Sequence, residues 1–460
     1  MSPPRPQQPA DRSATRLHFT VQALKEDLCL AEIFERARSF TRASYLRLPQ
    51  HGAACGEELV GLGCAWEATF GDTGNDTGFA SANAVLRAFR HSAGDTEDVR
   101  LFAYAAFDPS YAPGDDVTWN AFERRALYLP ELLLMRRDAQ LFAVIAHLDH
   151  ASPTAMSEWL ARVNDAQHPA QPPATDGACT SLDLRNEETR FTANVASVVA
   201  SAGTSAPVEK IVYARRATAE RSSHFKLDRV IAALNADFSG CATFALSPHP
   251  GAPTFVGATP ETLVSAHHNQ LQTMALAGTT RGGSPPQSPE RAAAEDNLLH
   301  SAKDRHEHQV VVEMITSSLK HHGASPSYND TPGIRRLTNV SHLETPIRAE
   351  ITDTFGLLEA IDALHPTPAV CGQPRQAARQ AIARDEGFDR GLYAGPIGAM
   401  SPEGEGQIFV ALRCGLVHHD QALLFAGAGI TADSDPHVEW AETHQKLAAL
   451  QNALTAEDLP

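Results

Sequence analysis

The stretch EGEGQIFVALRCGLVHHDQALLFAGAGIT, residues 403–431, holds two apolar runs separated by a polar reversal at His418, His419 and Asp420. Strands joined by so short a connection pair antiparallel, because a parallel pair needs a crossover of a dozen or more residues. The stretch therefore reads as one hairpin. Outward from it the same signature recurs. TFVGATPETLVS (254–265) and LQTMALAGTTRG (271–282) read as paired strands around a turn at 267–269. YLPELLLMRRDAQLFAVIAH (128–147) reads as a hairpin turning at Arg137 and Asp138, and LFAYAAFDP (101–109) and PVEKIVYARR (207–216) carry further apolar runs. Strands and helices are interspersed without a regular βαβ rhythm. The expected fold class is α+β, a large antiparallel β-sheet core flanked by helices, rather than a doubly wound parallel sheet. No internal repeat is visible along the chain.

Two segments carry helix signals together with paired carboxylates. NLLHSAKDRHEHQVVVE (297–313) reads as a helix capped by Asp296 or Asn297, with apolar spacing continuing to Leu319 and an end at Gly323 and Pro326. At about 100° per residue, Asp304, Glu307 and His308 share one face. Carboxylates at i, i+3 repel, so this pair is either a solvated acidic face balanced by Lys303 and Arg305 or a ligand pair. SDPHVEWAETHQKL (434–447) opens with a capping Asp435 and Pro436 at the first helical position, and sets Glu439, Glu442 and Lys446 on one face. Four carboxylates that converge suit a hard divalent cation held by oxygen ligands. The lysine beside them points to an anionic substrate bridging metal and ammonium. Before the first segment, 282–296 reads as an exposed loop, and between the two LHPTPAVCG (364–372) reads as a rigid, proline-set turn. Residues 165–178 read as a Pro/Ala linker or surface excursion, and 1–15 as a disordered N-terminus.

Of the 460 residues, 43% are hydrophobic and 20% charged, enough for a large core. The formal net charge of -17 disfavours nucleic acid and anionic membrane surfaces as partners. An anionic substrate then needs a local positive site rather than a global field. The seven cysteines are scattered without a CxxC, which fits a reducing cytoplasm better than a disulfide framework or a zinc site. No apolar run reaches the ~20 residues of a membrane span, and the N-terminus has no apolar signal core.

The segments VEKIVYARR, FVGATPE, LAGTTRG, KDRHEH, LETPIRAE, LHPTPAVCG, FDRGLYAGPIG, FVALRCG, FAGAGI and EWAETHQKL, in this order across 208–447, resemble the chorismate-utilising enzymes. That family comprises the isochorismate, salicylate, anthranilate and aminodeoxychorismate synthases. LFAYAAFDP and YLPELLLMRR resemble it more loosely, too loosely to assign residues. The resemblance implies a single α+β unit, with 16–190 as its N-terminal part and 191–456 as the chorismate-binding catalytic part.

It also implies roles. Lys210 matches the general base of members that use water as nucleophile. An ammonium with an ordinary pKa near ~10.4 is a poor base at neutral pH, so burial or a cationic neighbour has to lower it. Glu261 matches the general acid that protonates the departing C4 hydroxyl, and its pKa has to be raised. Glu307 and Glu442 match magnesium ligands, with Asp304 and Glu439 as outer-shell partners through water. His308 reads as a packing histidine, since Mg2+ does not favour imidazole. Arg413 matches a residue that holds the enolpyruvyl carboxylate, assisted by Tyr393. Gly278, Thr279, Gly427, Ala428 and Gly429 match backbone segments set against the substrate, and Lys446 a partner of the ring carboxylate. His365 and Ala369 are expected to line the pocket. One departure is that Ala399 and Met400 follow FDRGLYAGPIG, where many relatives carry an aromatic residue. The implied activity is a Mg2+-dependent isochorismate synthase acting on chorismate, cytoplasmic and without a glutaminase subunit. Rival readings are a salicylate synthase, an ammonia-using relative, and a catalytically silent chorismate- or metal-binding protein.

Overall fold

The computed structural model describes residues 17–25, 28–49, 56–68, 70, 78–82, 86, 98–111, 116–148, 154, 156–166, 186–201, 208–281, 288–336 and 340–455. The 1–15 tail and all but the first two residues of the 165–178 linker lie outside them. The first part of the chain forms β1 (Leu17–Leu24), α1 (Leu30–Ala37), β2 (Ala43–Leu48), β3 (Glu57–Leu62) and β4 (Trp66–Glu67). It continues with β5 (Leu101–Ala105), β6 (Arg125–Leu129), β7 (Leu132–Arg137), β8 (Gln140–Leu148) and α2 (Met156–Asp165). After α3 (Glu187–Ala200) come β9 (Lys210–Glu220), α4 (Leu227–Asp237), β10 (Ala242–Ser247), β11 (Thr254–Thr259) and β12 (Thr262–His267). A long excursion follows: β13 (Gln270–Arg281), α5 (Pro289–His300), α6 (Ala302–His321), β14 (Ser327–Tyr328), β15 (Gly333–Arg336) and β16 (Val340–Glu350). It ends with α7 (Leu357–Leu364), β17 (Gly372–Gln373) and α8 (Arg375–Asp385). The chain closes through β18 (Pro396–Met400), β19 (Gly406–Val410), β20 (Cys414–His418), β21 (Gln421–Ile430) and α9 (Pro436–Thr455).

The strands make two sheets, and every named strand pairing is antiparallel. The fold is the expected α+β class. The first sheet runs β1-β8-β7-β3-β2-β10-β11-β20-β21-β9-β17; the second runs β14-β16-β13-β12-β19-β18-β5-β6-β4, with β15 also pairing β16. Both orders read the same outward from a central pair. From β2 and β10 the first sheet continues β3, β7, β8, β1 on one side and β11, β20, β21, β9 on the other. From β5 and β18 the second continues β6, β4 and β19, β12. The chain thus traces one topology twice, a repetition invisible in its residues. The two copies differ most in the excursion between β12 and β18.

The two sheets share one core, in which Trp119, Phe255, Tyr393 and Phe425 pack ring against ring at 5.4–5.6 Å. A second core lies on the other face of the first sheet. There α1, α2, α4 and α9 contribute Phe34, Trp159, Leu234 and Leu450. Local chemistry explains the reversals. The β7–β8 and β12–β13 turns each place two residues in the left-handed region, Asp138 with Ala139 and His268 with Asn269, as two-residue hairpins require.

Three boundaries differ from the sequence reading, and two of them form the site. Residues 254–265 are two strands in different sheets: the chain leaves β11, turns at Pro260 and Glu261, and enters β12. Residues 403–431 divide the same way, and Ala411–Arg413 crosses back from β19 to β20. The β20–β21 reversal falls at His419, as read. The third difference is the acidic helix, which begins at Ser301, whose hydroxyl accepts from Asp304 N; Asp296 and Asn297 belong to α5, a helix in its own right capped by Ser288. This helix takes in residues 289–296, read from the sequence as exposed loop, and the four residues 297–300 that periodicity alone joins to α6. By contrast Asp435 Oδ1 accepts from the amides of His437 and Val438 at 2.9 and 3.0 Å, so α9 starts where its cap and proline set it.

Candidate active site

The two crossing segments run side by side where the sheets meet. Val410 N donates to Glu261 O at 2.9 Å, Thr259 Oγ1 donates to Val410 O, and Ala411 N donates to Gly395 O at 2.8 Å. Glu261 is therefore fixed at a seam, held by backbone on both sides. In the other copy of the topology, Ala65 precedes β4 as Glu261 precedes β12, and Glu131 precedes β7 as Arg413 precedes β20. That copy has an alanine where Glu261 stands and a glutamate where Arg413 stands.

Lys210 opens β9, and its side chain lies beside β21: a β-carbon on Gly429 would stand 3.0 Å from Lys210 Cε and 3.6 Å from Nζ. Burial lowers its pKa, Lys446 lowers it further, and Glu261, Glu307 and Glu442 oppose the shift. Burial raises the pKa of Glu261, against the hydroxyl of Thr367 and the charges of Lys210 and Lys446. Both shifts lead away from an ion pair and toward a neutral amine facing a neutral acid. Thr367 Oγ1 approaches Glu261 Oε1 at 3.5 Å. The sequence reading passed over Thr367, although it chose His365 and Ala369 from the same turn. Spacing in an irregular turn does not tell which side chain faces inward.

The carboxylates come from opposite sides. On α9, Lys446 Nζ lies 2.8 Å from Glu442 Oε1 and donates to Gly427 O at 2.8 Å, tying the helix to the glycine strand. Glu439 accepts from Ser434 Oγ at 2.8 Å; burial and the neighbouring Glu442 raise its pKa. On α6, Glu307 is exposed and Asp304 half-buried. Gly278, at φ +68 in a bulge of β13, lets Asp304 come close: a β-carbon there would meet Asp304 Cβ at 3.2 Å. Thr279 follows in the same bulge, opposite His342. His308 turns the other way, buried, with Nε2 2.8 Å from Thr345 Oγ1 and its pKa lowered by burial. Lys210 feels both Glu307 and Glu442, so the two helices address one cleft. The donor set is all oxygen, which fits a hard cation such as Mg2+. Among the described residues the one group of three ligating side chains within 4.8 Å is His267, His268 and Glu405, on the far end of β12.

The remaining candidates divide. Tyr393 is buried and stacked on Phe425; its hydroxyl would lie 3.0 Å from a β-carbon on Gly427, and burial pushes its pKa well up, with Glu261 contributing. Gly427, Ala428 and Gly429 pair with Ala214, Tyr213 and Val212 of β9. His365 Nε2 lies 2.9 Å from Ala394 O, and burial holds its pKa down at about 4, so the ring is neutral. Ala369 is exposed on the turn. Arg413 is not drawn into the cluster. It sits at φ +48 in the crossing segment with its guanidinium 5.8 Å over the Phe238 ring, on the helix-covered side.

Comparison with known proteins follows the same lines. The family model described as chorismate binding enzyme matches residues 10–455. The salicylate biosynthesis isochorismate synthase of Pseudomonas aeruginosa is 37% identical over 366 residues, covering 78% of this chain and 74% of that one. Isochorismate synthase DhbC of Bacillus subtilis is 37% identical over 207 residues, 45% of this chain and 52% of that one. The solved structure of MenF, the menaquinone-specific isochorismate synthase of Escherichia coli, superposes with a TM-score of 0.73 at 24% identity, covering 96% and 95% of the two chains. At that identity the superposition speaks for the fold. Among the described residues, no helix is long and apolar enough to cross a membrane.

Proposed function

Since the chain belongs to the family of chorismate binding enzymes, we propose that it is an isochorismate synthase that converts chorismate reversibly to isochorismate. The observation that carries this reading is the Lys210–Glu261 pair, with burial shifting the amine down and the acid up. A base must be free to take a proton and an acid must have one to give. Lys210 removes a proton from water as the water oxygen bonds to C2. The ring double bonds shift, and the C4–O bond breaks as Glu261 donates its proton to the leaving hydroxyl. One water enters and one leaves, so the reaction is an isomerisation.

Glu307 and Glu442 would hold Mg2+, with Asp304 and Glu439 behind them; the ion supplies charge neutralisation for the ring carboxylate. Lys446 adds a second positive group beside it. Gly278, Thr279 and the 427–429 strand offer close backbone approach, and His365 gives a neutral wall. Tyr393 takes the enolpyruvyl carboxylate; Arg413, turned over the Phe238 ring, stands outside the cluster. No ammonia donor is needed, and hence no glutaminase partner.

The test is the product formed from chorismate and Mg2+ alone, separated by chromatography, with pyruvate release followed in parallel. Isochorismate and chorismate settling to one ratio from either side is the expected result. Stoichiometric pyruvate would make the enzyme a salicylate synthase, and turnover only with ammonia an anthranilate-type enzyme. Unchanged chorismate under all conditions would leave a binding protein.

A further inference from the structure

Arg215 is buried yet sparsely partnered, beneath the helix that carries Glu439 and Glu442. It is 4% exposed. Its Nε donates to Thr443 Oγ1 at 2.6 Å, and its guanidinium carbon lies 3.8 Å from the centre of the Trp440 ring. Its Nη2 is buried without a hydrogen-bond partner among the described residues. Glu187 and Glu188 act on it electrostatically, but burial prevails and draws its pKa down to about 10. A guanidinium so placed is a poor stabiliser, because burying a charge with an incomplete set of hydrogen bonds opposes folding. An apolar side chain of similar length would fill the space at less cost.

What Arg215 does well is fix geometry. Its plane stacks on the indole while its edge donates to the hydroxyl, which sets position and rotation together. The two groups it grips are the residues that follow the two glutamates: Trp440 follows Glu439, and Thr443 follows Glu442. Thr443 Oγ1 in turn donates a hydrogen bond to Trp440 O at 2.7 Å, and Trp440 packs on Phe191 of α3 at 5.7 Å. Arg215 also shares β9 with Lys210, so one strand carries both the proposed base and the grip on the carboxylate helix.

We infer that Arg215 is a positioning residue for the cation site. It clamps α9 in the rotation that turns Glu439 and Glu442 toward the Lys210–Glu261 cleft. This rests on the reading of the four carboxylates as a divalent-metal site. The probe is Mn2+, titrated into the full-length protein and followed by the loss of the free-ion EPR signal, with no turnover involved. Arg215→Met and Thr443→Val are each expected to weaken Mn2+ binding about tenfold, the scale of losses when a group orienting a metal ligand is removed. The Mg2+ concentration for half-maximal chorismate turnover should rise by the same factor, while kcat at saturating Mg2+ stays near wild type. Thr443→Val removes only the hydroxyl, so it carries the test if Arg215→Met does not fold. Leu450→Ala, a core truncation two turns along α9, is the control: it should lower the melting temperature and leave Mn2+ affinity unchanged. Wild-type affinity in a folded Arg215→Met or Thr443→Val protein overturns the inference, as does an equal loss in Leu450→Ala. If the wild-type protein itself binds no Mn2+, the four-carboxylate reading fails and the inference with it.

Discussion

Gly429→Ala places one methyl group against the proposed base and little else. Gly429 lies in β21 opposite Val212, in ordinary strand backbone. Its new β-carbon would stand 3.0 Å from Lys210 Cε and 3.6 Å from Nζ, with no other atom of the described residues within 4 Å. Favourable carbon–carbon contact begins near 3.5 Å, so the lysine stem has to retreat by about 0.5 Å. The ammonium moves with it. A misplacement of about 1 Å costs on the order of 100-fold in rate, and half of that on a logarithmic scale is roughly tenfold. That corresponds to about 1.4 kcal/mol on the barrier. The atoms that must give way belong to a flexible side chain, so folding stability should change by less than about 1 kcal/mol. Gly427→Ala is the contrasting case. Its β-carbon would meet the Tyr213 carbonyl oxygen at 2.9 Å, so β9 and β21 would have to part, and stability should fall by about 1–3 kcal/mol. The assay is kcat for chorismate at saturating Mg2+, with thermal melting of the same samples. A Gly429→Ala protein that turns over at the wild-type rate would refute the placement of the Lys210 amine at the reaction centre.

Four further outcomes are expected. Lys210→Ala and Glu261→Gln should each lose about 10²–10⁴-fold in kcat, measured by single-turnover product formation, while chorismate binding persists; retention of a tenth of the rate would remove either residue from its role. Chelation by EDTA should abolish turnover and Mg2+ restore it, and Glu307→Gln and Glu442→Gln should be inactive at ordinary Mg2+; full activity in metal-free buffer would end the carboxylate argument. Lys210→Met and Glu261→Gln should melt higher than wild type near neutral pH. The sign follows from linkage. The lysine's lowered pKa contributes stability above its ordinary value of 10.5 that is lost as pH falls through the folded value, and the glutamate's raised pKa contributes stability below 4.5 that is lost as pH rises. Melting curves across that range decide it, and a lower melting temperature for both variants at neutral pH would contradict the desolvation argument. Finally, Thr367→Val should push the Glu261 pKa further up, by removing a hydroxyl that favours the carboxylate. The corresponding limb of the pH–kcat profile should shift to higher pH; an unmoved limb would show that the 3.5 Å contact does not form in solution.

Local chemistry made much of this protein legible from its residues. Asp435 and Pro436 mark the start of α9 because capping and a fixed φ act within one turn of chain. The β7–β8, β12–β13 and β20–β21 reversals are legible for the same reason, and short polar reversals between apolar runs imply antiparallel sheets. Asp304 with Glu307, and Glu439 with Glu442, share helix faces by periodicity alone. The α5–α6 boundary was harder to see, because the apolar spacing runs on through Ser301, the single residue whose extended backbone and cap hydrogen bond to Asp304 N separate the two helices.

What the chain order could not reveal is which sheet each strand joins. A strand that stays in one sheet and a strand that crosses to another carry the same apolar pattern, since both are buried on the way. Residues 254–265 and 403–417 therefore read as continuous strands, and the seam where Glu261 sits was invisible. The doubled topology was invisible for a related reason: sheets constrain burial and alternation, and many unrelated residues satisfy both. The direction of Arg413 and the approach of Thr367 to Glu261 were hidden too, as was the grip of Arg215 on Thr443. Each depends on groups separated by 106 residues or more, which only packing brings together. The sequence determined the elements and the chemical inventory, because those follow from neighbours along the chain. The tertiary structure decided the proton affinities of Lys210 and Glu261, because desolvation is a property of everything folded around them.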